Sequence, residues 1–406
     1  MKKFIALLLA LVMVVGLVAC GAKEEAAPAA TEAATEAVPE AATEAATEAA
    51  PEAAEDSYKV AMVTDYGDIT DQSFNQTTYE ACKAFCEGNG IEFTYYKPAG
   101  DSDAERVAMI EMAVDEGFNV IVLPGFAFAK AVATAAPQYT DVKFIVLDVS
   151  ENDLMTAGLT AETMGNVYSA VYQEELSGYM AGYAAVKLAY TKLGFLGGMA
   201  VPAVQRFGYG YVQGADAAAK ELNITIDMNY IYGGLFYGTA DFTAVMDTWY
   251  QGGTEVVFAC GGGIFTSAVD AAKKVEGAKV IGVDVDQAGV IANYAGDADT
   301  SLTVTSAMKG LYPTTVDTLT DVIINGNWEK YSGKVETLGL VSGDDPTVNY
   351  VQIPMESTQW SDSFTQEDYK ALVKGMFDGT IKVSDDVSAM PAVTNTNLSD
   401  QGQIVG

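Results

Sequence analysis

Lys59-Val60-Ala61-Met62-Val63-Thr64-Asp65-Tyr66-Gly67 opens the folded part of the chain and decides how the rest is read. Val60 to Val63 is unbroken apolar chain, a polar turn follows, and a helical stretch runs from about Ser73 to Glu87. Strands covered on both faces need continuous apolar runs, whereas a strand with one wet face alternates. The same pattern returns in Asn119-Val120-Ile121-Val122-Leu123, Lys143-Phe144-Ile145-Val146-Leu147, Lys192-Leu193-Gly194-Phe195-Leu196, Glu255-Val256-Val257-Phe258-Ala259 and Lys279-Val280-Ile281-Gly282-Val283. Helical stretches lie between them: Asp103 to Glu116, Val204 to Glu221, Thr239 to Tyr250 and Phe265 to Val275. This βα rhythm predicts an α/β protein with parallel sheets.

The strands fall into two sets, before and after the segment Gly165 to Tyr190, and so predict two doubly wound Rossmann-like lobes joined by a hinge. The expected division gives residues 58–164 plus about 288–328 to an N-terminal lobe, and 165–287 plus about 329–406 to a C-terminal lobe. In such sheets ligands sit at the carboxyl ends of the strands. Those ends read Thr64-Asp65-Tyr66-Gly67, Pro124-Gly125-Phe126, Asp148, Gly197-Gly198-Met199, Gly261-Gly262-Gly263 and Asp284-Val285-Asp286, a set suited to a small polar molecule with an aromatic face. Asp65, Tyr66, Phe126 and Gly261 join the candidate ligand-binding residues on that ground. The glycine triplet lacks the spacing of a phosphate loop and no Lys-Ser/Thr follows it, so close backbone approach to a neutral ligand is its expected use.

Ahead of this body, Lys2 and Lys3 precede an apolar run from Phe4 to Val18 and then Leu17-Val18-Ala19-Cys20-Gly21. A charged start, a short apolar core and small residues at the cut mark residues 1–20 as a secretory signal. Cys20 after Leu-x-Ala fits lipidation of its thiol, which places the protein on the extracytoplasmic face of the cell membrane. Residues 21–57 repeat Thr-Glu-Ala-Ala with interspersed prolines; Val38 is their one large aliphatic side chain. Such a segment cannot bury enough apolar surface to offset chain entropy, so it reads as a disordered tether.

The formal charge is −33, of which −26 falls on residues 58–406. That balance argues against nucleic acid and against a multiply anionic ligand. There is no histidine, hence no Ser-His-Asp triad, imidazole base or usual zinc site. Nothing calls for a cofactor or a metal ion. Asp65, Asp68 and Asp71 cluster in sequence, the one feature that would suit a metal-dependent nucleoside hydrolase, but their spacing follows no metal motif. Cys82 and Cys86, four apart on a helix, read as small buried residues because one helical turn aligns a disulfide poorly.

Asp71-Gln72-Ser73-Phe74-Asn75-Gln76 after Thr64-Asp65 and Gly67, the stretch Glu175-Leu176-Ser177-Gly178-Tyr179-Met180-Ala181-Gly182, then Arg206-Phe207 and Gly282-Val283-Asp284-Val285-Asp286-Gln287 together resemble the basic membrane protein (BMP) family. The resemblance runs from about Tyr58 to at least Lys309. It implies a purine-nucleoside-binding lipoprotein of an ABC importer, with the type I periplasmic-binding-protein fold, a permease as partner, and no enzymatic activity. It also implies roles. Phe74 and Phe207 would clasp the base, one from each lobe; the alternative for Phe74 is a core residue, against which its polar neighbours Ser73, Asn75 and Gln76 speak. Asp284 would hold ribose hydroxyls, since a carboxylate accepts two hydrogen bonds. Asp148 would read the base edge, and Asn75 would serve a ring nitrogen beside an N–H. Lys309 and Gly310 match late family contacts. Tyr66 departs from the smaller polar residue of some members, which leaves base preference open; the rival ligand is a sugar or signalling furanose. The body is expected to be a monomer.

Overall fold

The computed structural model describes residues 57–65, 67–296 and 300–405. Cys20, the tether and Tyr66 therefore lie outside the described residues. The strands are β1 (Lys59–Val63), β2 (Glu92–Tyr96), β3 (Val120–Pro124), β4 (Lys143–Leu147), β5 (Val167–Tyr172), β6 (Lys192–Gly197) and β7 (Ile226–Tyr232). They continue with β8 (Val256–Cys260), β9 (Lys279–Asp284), β10 (Thr303–Lys309), β11 (Lys334–Leu338), β12 (Val351–Gln352) and β13 (Thr396–Gln403).

Among the described residues these strands form two sheets, ordered β11-β5-β4-β3-β1-β2 and β12-β10-β9-β8-β6-β7-β13. Five strands of each sheet repeat one winding, β2-β1-β3-β4-β5 and β7-β6-β8-β9-β10, with every neighbour parallel. The physical cause is the one read from sequence: β3, β4, β8 and β9 are apolar and buried along nearly their whole length, because helices cover both faces. Winding of this order changes direction between β1 and β3, and between β6 and β8, which opens a crevice at each switch point.

The lobe boundaries differ from the expected division. β5 belongs to the first sheet, so the first lobe runs on beyond residue 164. β10 belongs to the second sheet, so residues 303–309 leave the N-terminal lobe to which 288–328 had been given. Leu311 and Leu319 do pack in the first lobe's core, and β11 pairs with β5 there rather than lying in the second lobe. Among the described residues the chain crosses between lobes three times, after β5, β10 and β11, as often as the expected division required but at shifted positions. Cys82 and Cys86 are buried free thiols.

One close approach builds the crossing side of the site. In the helices Glu174–Lys187 and Pro202–Leu222, a Cβ on Gly178 would stand 2.1 Å from the Phe207 carbonyl oxygen, and one on Gly210 would stand 2.1 Å from that of Glu175. Only glycine lets the two backbones touch there. The contact sets Glu174 beside Arg206.

Candidate functional site

The carboxyl ends of the inner strands of both lobes converge on one cavity. Asp65, Phe74, Asn75, Phe126, Asp148, Phe207, Gly261, Asp284 and Lys309 all line it. Gly310 does not; it precedes the helix Leu311–Leu319, and its Cα faces Tyr350.

Lys309, the last residue of β10, is the buried cation at the centre. Its Nζ lies 2.5 Å from Asp148 Oδ2, 3.4 Å from Glu174 Oε1 and 3.9 Å from Asp284 Oδ1. Glu174 also accepts from Arg206 Nε at 2.6 Å. Burial disfavours the Lys309 ammonium, but the three carboxylates outweigh it and hold the group more firmly protonated than a free lysine. Burial pushes the Asp148 carboxyl up to about 6, with Lys309 opposing and Glu174 adding to the rise. Asp284 is raised by burial too, against the pull of Lys309 and the Ser73 hydroxyl. That hydroxyl, from the first lobe, donates to Asp284 Oδ2 in the second lobe at 2.5 Å. Gln287 Nε2 donates in the opposite sense, from the second lobe to the Gln72 carbonyl of the first, 3.1 Å away. The lobes are thus latched by hydrogen bonds that include a cavity carboxylate.

Asn75 differs from its sequence reading. Its Nδ2 donates to Asp65 Oδ1 at 3.0 Å and to Asp71 Oδ2 at 3.2 Å. Two acceptor-only carboxylates fix the amide orientation, so Asn75 offers the cavity an acceptor alone rather than a donor and an acceptor. Its Oδ1 is buried without a hydrogen-bond partner, and so is Asp148 Oδ1. Asp65 and Asp71 therefore close on Asn75, while Asp68 turns away to Lys97.

Two residues went unnoticed in sequence. Glu174, fully buried, follows β5, a strand hidden in the segment read as a separator. Phe236 lines both the cavity and the wider cleft outside it, and so stands at the mouth. Phe207 instead forms the floor, 1% exposed and edge-on to Phe258 at 6.2 Å. The glycine triplet seats Phe236: a Cβ on Gly261 (φ +136°) would come within 2.9 Å of that ring, and the Gly263 N–H donates to the Phe236 carbonyl at 2.9 Å. Opposite, Lys309 Nζ sits 4.7 Å from the centre of the Phe74 ring.

Residues 58–374 match the model of the family Bmp, described as ABC transporter substrate-binding protein PnrA-like. The ABC transporter nucleoside-binding protein BmpA of Lactococcus lactis subsp. cremoris is 28% identical over 298 residues, 70% of this chain and 80% of that protein. An uncharacterized lipoprotein of Pyrococcus furiosus is 25% identical over 340 residues, 80% of this chain and 79% of that protein. The crystal structure of an ABC transporter solute-binding protein from Aeropyrum pernix shares the fold, with a TM-score of 0.62 at 21% identity, covering 80% of this chain and 87% of that one.

Proposed function

The chain belongs to the Bmp family of PnrA-like ABC transporter substrate-binding proteins, and from that premise we propose that it captures a purine nucleoside between its lobes and delivers it to a membrane permease. The observation that carries the ligand class is a pair of buried acceptors without donors, Asp148 Oδ1 and Asn75 Oδ1, in a cavity walled by aromatic rings. A buried acceptor left unpaired costs about 1–3 kcal/mol, so a ligand that brings N–H groups recovers that loss. A purine brings them on a flat apolar ring, and rings stack on aromatic side chains. The nucleoside-binding relative from Lactococcus supports the same class.

In this reading Phe74 and Phe236 flank the base while Phe207 closes the floor. Asp148 and Asn75 accept from the base edge, and Asp284 accepts from ribose hydroxyls. Lys309 holds Asp148 and Asp284 in place from the hinge side. The protein binds without chemistry, works as a monomer, and is held to the extracytoplasmic face by lipid on Cys20. Native mass spectrometry of the purified chain tests the ligand class. A bound mass that releases a purine nucleoside is expected; a released sugar without purine absorbance would overturn the reading.

A further inference from the structure

We infer that β13 and the residues just after it set ligand affinity by holding Phe236 in place. The inference rests on the reading of the cavity as the nucleoside site. Phe236 follows Gly233-Gly234, two residues with little backbone restraint of their own, and Gly234 sits at φ +96°. A ring on such a segment loses much freedom when it closes on a ligand, and every restraint applied beforehand reduces that loss.

On the inner side the segment is restrained by its own lobe: Gly233 N–H donates to Gly197 O at 2.7 Å and Gly234 N–H to Gly198 O at 3.0 Å. On the outer side the restraint comes from β13, which begins at residue 396, beyond the stretch 58–374 that the family model covers. β13 runs parallel to β7, with Asp400 opposite Tyr230 but Gln403 opposite Tyr232. One extra residue has entered β13, and Gly402 at φ +71° absorbs it. The bulge carries the chain past the end of β7. Ile404 N–H then donates to Tyr232 O at 2.9 Å, and Val405 N–H to Gly233 O at 3.1 Å. Val405 also fills the space beside Gly234, where a Cβ would stand 2.4 Å from its carbonyl oxygen and 2.8 Å from its side chain. Ile404, Val405 and Leu235 pack on one apolar cluster with Phe242 and Ile264. The glycine pair is thus clamped from both sides, one residue short of Leu235 and two short of the Phe236 ring. Ile404 and Val405 are positioning residues that touch no ligand themselves.

The test is a double-mutant cycle on the otherwise full chain. Stopping the chain after Gln403 removes the clamp, and Phe236→Ala removes the ring on which it acts. Inosine affinity by calorimetry and inosine dissociation by stopped flow are read beside the melting temperature. With Phe236 present, the shortened chain should bind inosine roughly three- to thirtyfold more weakly, through faster dissociation. With Phe236→Ala it should show no further loss. Full-length chain carrying Ile404→Pro, which deletes the N–H to Tyr232 one residue beyond the end of β13, should repeat the pattern. Unchanged affinity on shortening, or an equal loss with and without Phe236, would overturn the inference while the nucleoside reading stood. No inosine, guanosine or adenosine binding by the unaltered chain would overturn both.

Discussion

Asp148 and Asp284 occupy the same place in the two lobes. One directly follows β4 and the other ends β9, the fourth strand of each winding. Both hold left-handed backbone, at φ 64° and 65°, and both face Lys309 Nζ, at 2.5 and 3.9 Å. Left-handed backbone away from glycine costs about 1–3 kcal/mol and persists where its surroundings impose it. Aspartate tolerates it better than most residues, so the two lobes present matched carboxylates to one cation.

That arrangement makes Lys309 costly to remove. Lys309→Met leaves Asp148, Glu174 and Asp284 buried without their shared cation, and should destabilise the protein by about 3–5 kcal/mol. The loss should shrink at pH 5, because burial raises Asp148 and Asp284 and favours their protonation as the pH falls. Denaturant unfolding at pH 8 and pH 5 reads both. A loss under about 1 kcal/mol at pH 8 would mean that the cluster is solvated rather than buried.

Asp284→Ala should weaken ribonucleosides selectively, because ribose hydroxyls would enter a closed cleft without their acceptor. The free base has no ribose to lose and should be far less affected. Titration of matched nucleoside and base pairs decides it; equal loss for both would refute the ribose assignment.

The pH dependence of the empty protein has a definite sign. Burial raises Glu175 to about 8 and Asp148 to about 6, and raises Asp284 and Asp71 as well. A folded state whose carboxyls hold protons more tightly than the unfolded chain loses stability as pH climbs from the ordinary carboxylate range through those raised values. Asp68 and Glu221, which are lowered, act in the opposite sense, but their stability is lost only as pH falls through the acid range. The ligand-free protein should therefore melt at a higher temperature at pH 5.5 than at pH 8, and Glu175→Gln should flatten the upper part of that slope. A melting temperature that rises toward pH 8 would contradict the burial of these groups.

The winding was legible in the sequence because its inner strands are apolar on both faces. β5 was not, since Ser169 interrupts Val167 to Tyr172; in the fold its hydroxyl is satisfied by the Val149 carbonyl at 2.6 Å. β2 and β13 lie at sheet edges, and β13 from Ser399 to Gln403 is exposed and carries no apolar side chain, so neither carries an apolar run. With β5 unseen, Glu174 lost its context. Most residues read at strand ends do line the cavity, because strand ends are fixed by the strands themselves. Phe236 was missed because it sits in a glycine-rich connection with no periodic pattern, and Asn75 was misread because only the three-dimensional approach of Asp65 and Asp71 uses up its amide donors.

Residues 1–57 should be dispensable for binding, as residues 1–20 read as a secretory signal and residues 21–57 have Val38 as their one large apolar side chain with which to join a core. A chain starting at Tyr58 should bind with unchanged affinity, and Cys20→Ala should move the full chain out of the detergent phase. Retention of the variant in detergent would point to a second anchor.

Calorimetric titration of the full chain with inosine, guanosine, adenosine, their free bases and ribose tests the central claim most directly, with Phe74→Ala, Phe236→Ala and Phe207→Ala alongside. The account predicts that the unaltered chain binds purine nucleosides and that losing Phe74 or Phe236 weakens them by about 1–3 kcal/mol each, roughly ten- to a hundredfold. Phe207→Ala should instead act mainly on the melting temperature, because that ring is packed into the core. Binding of ribose or another sugar, with no heat from any nucleoside, would contradict the account.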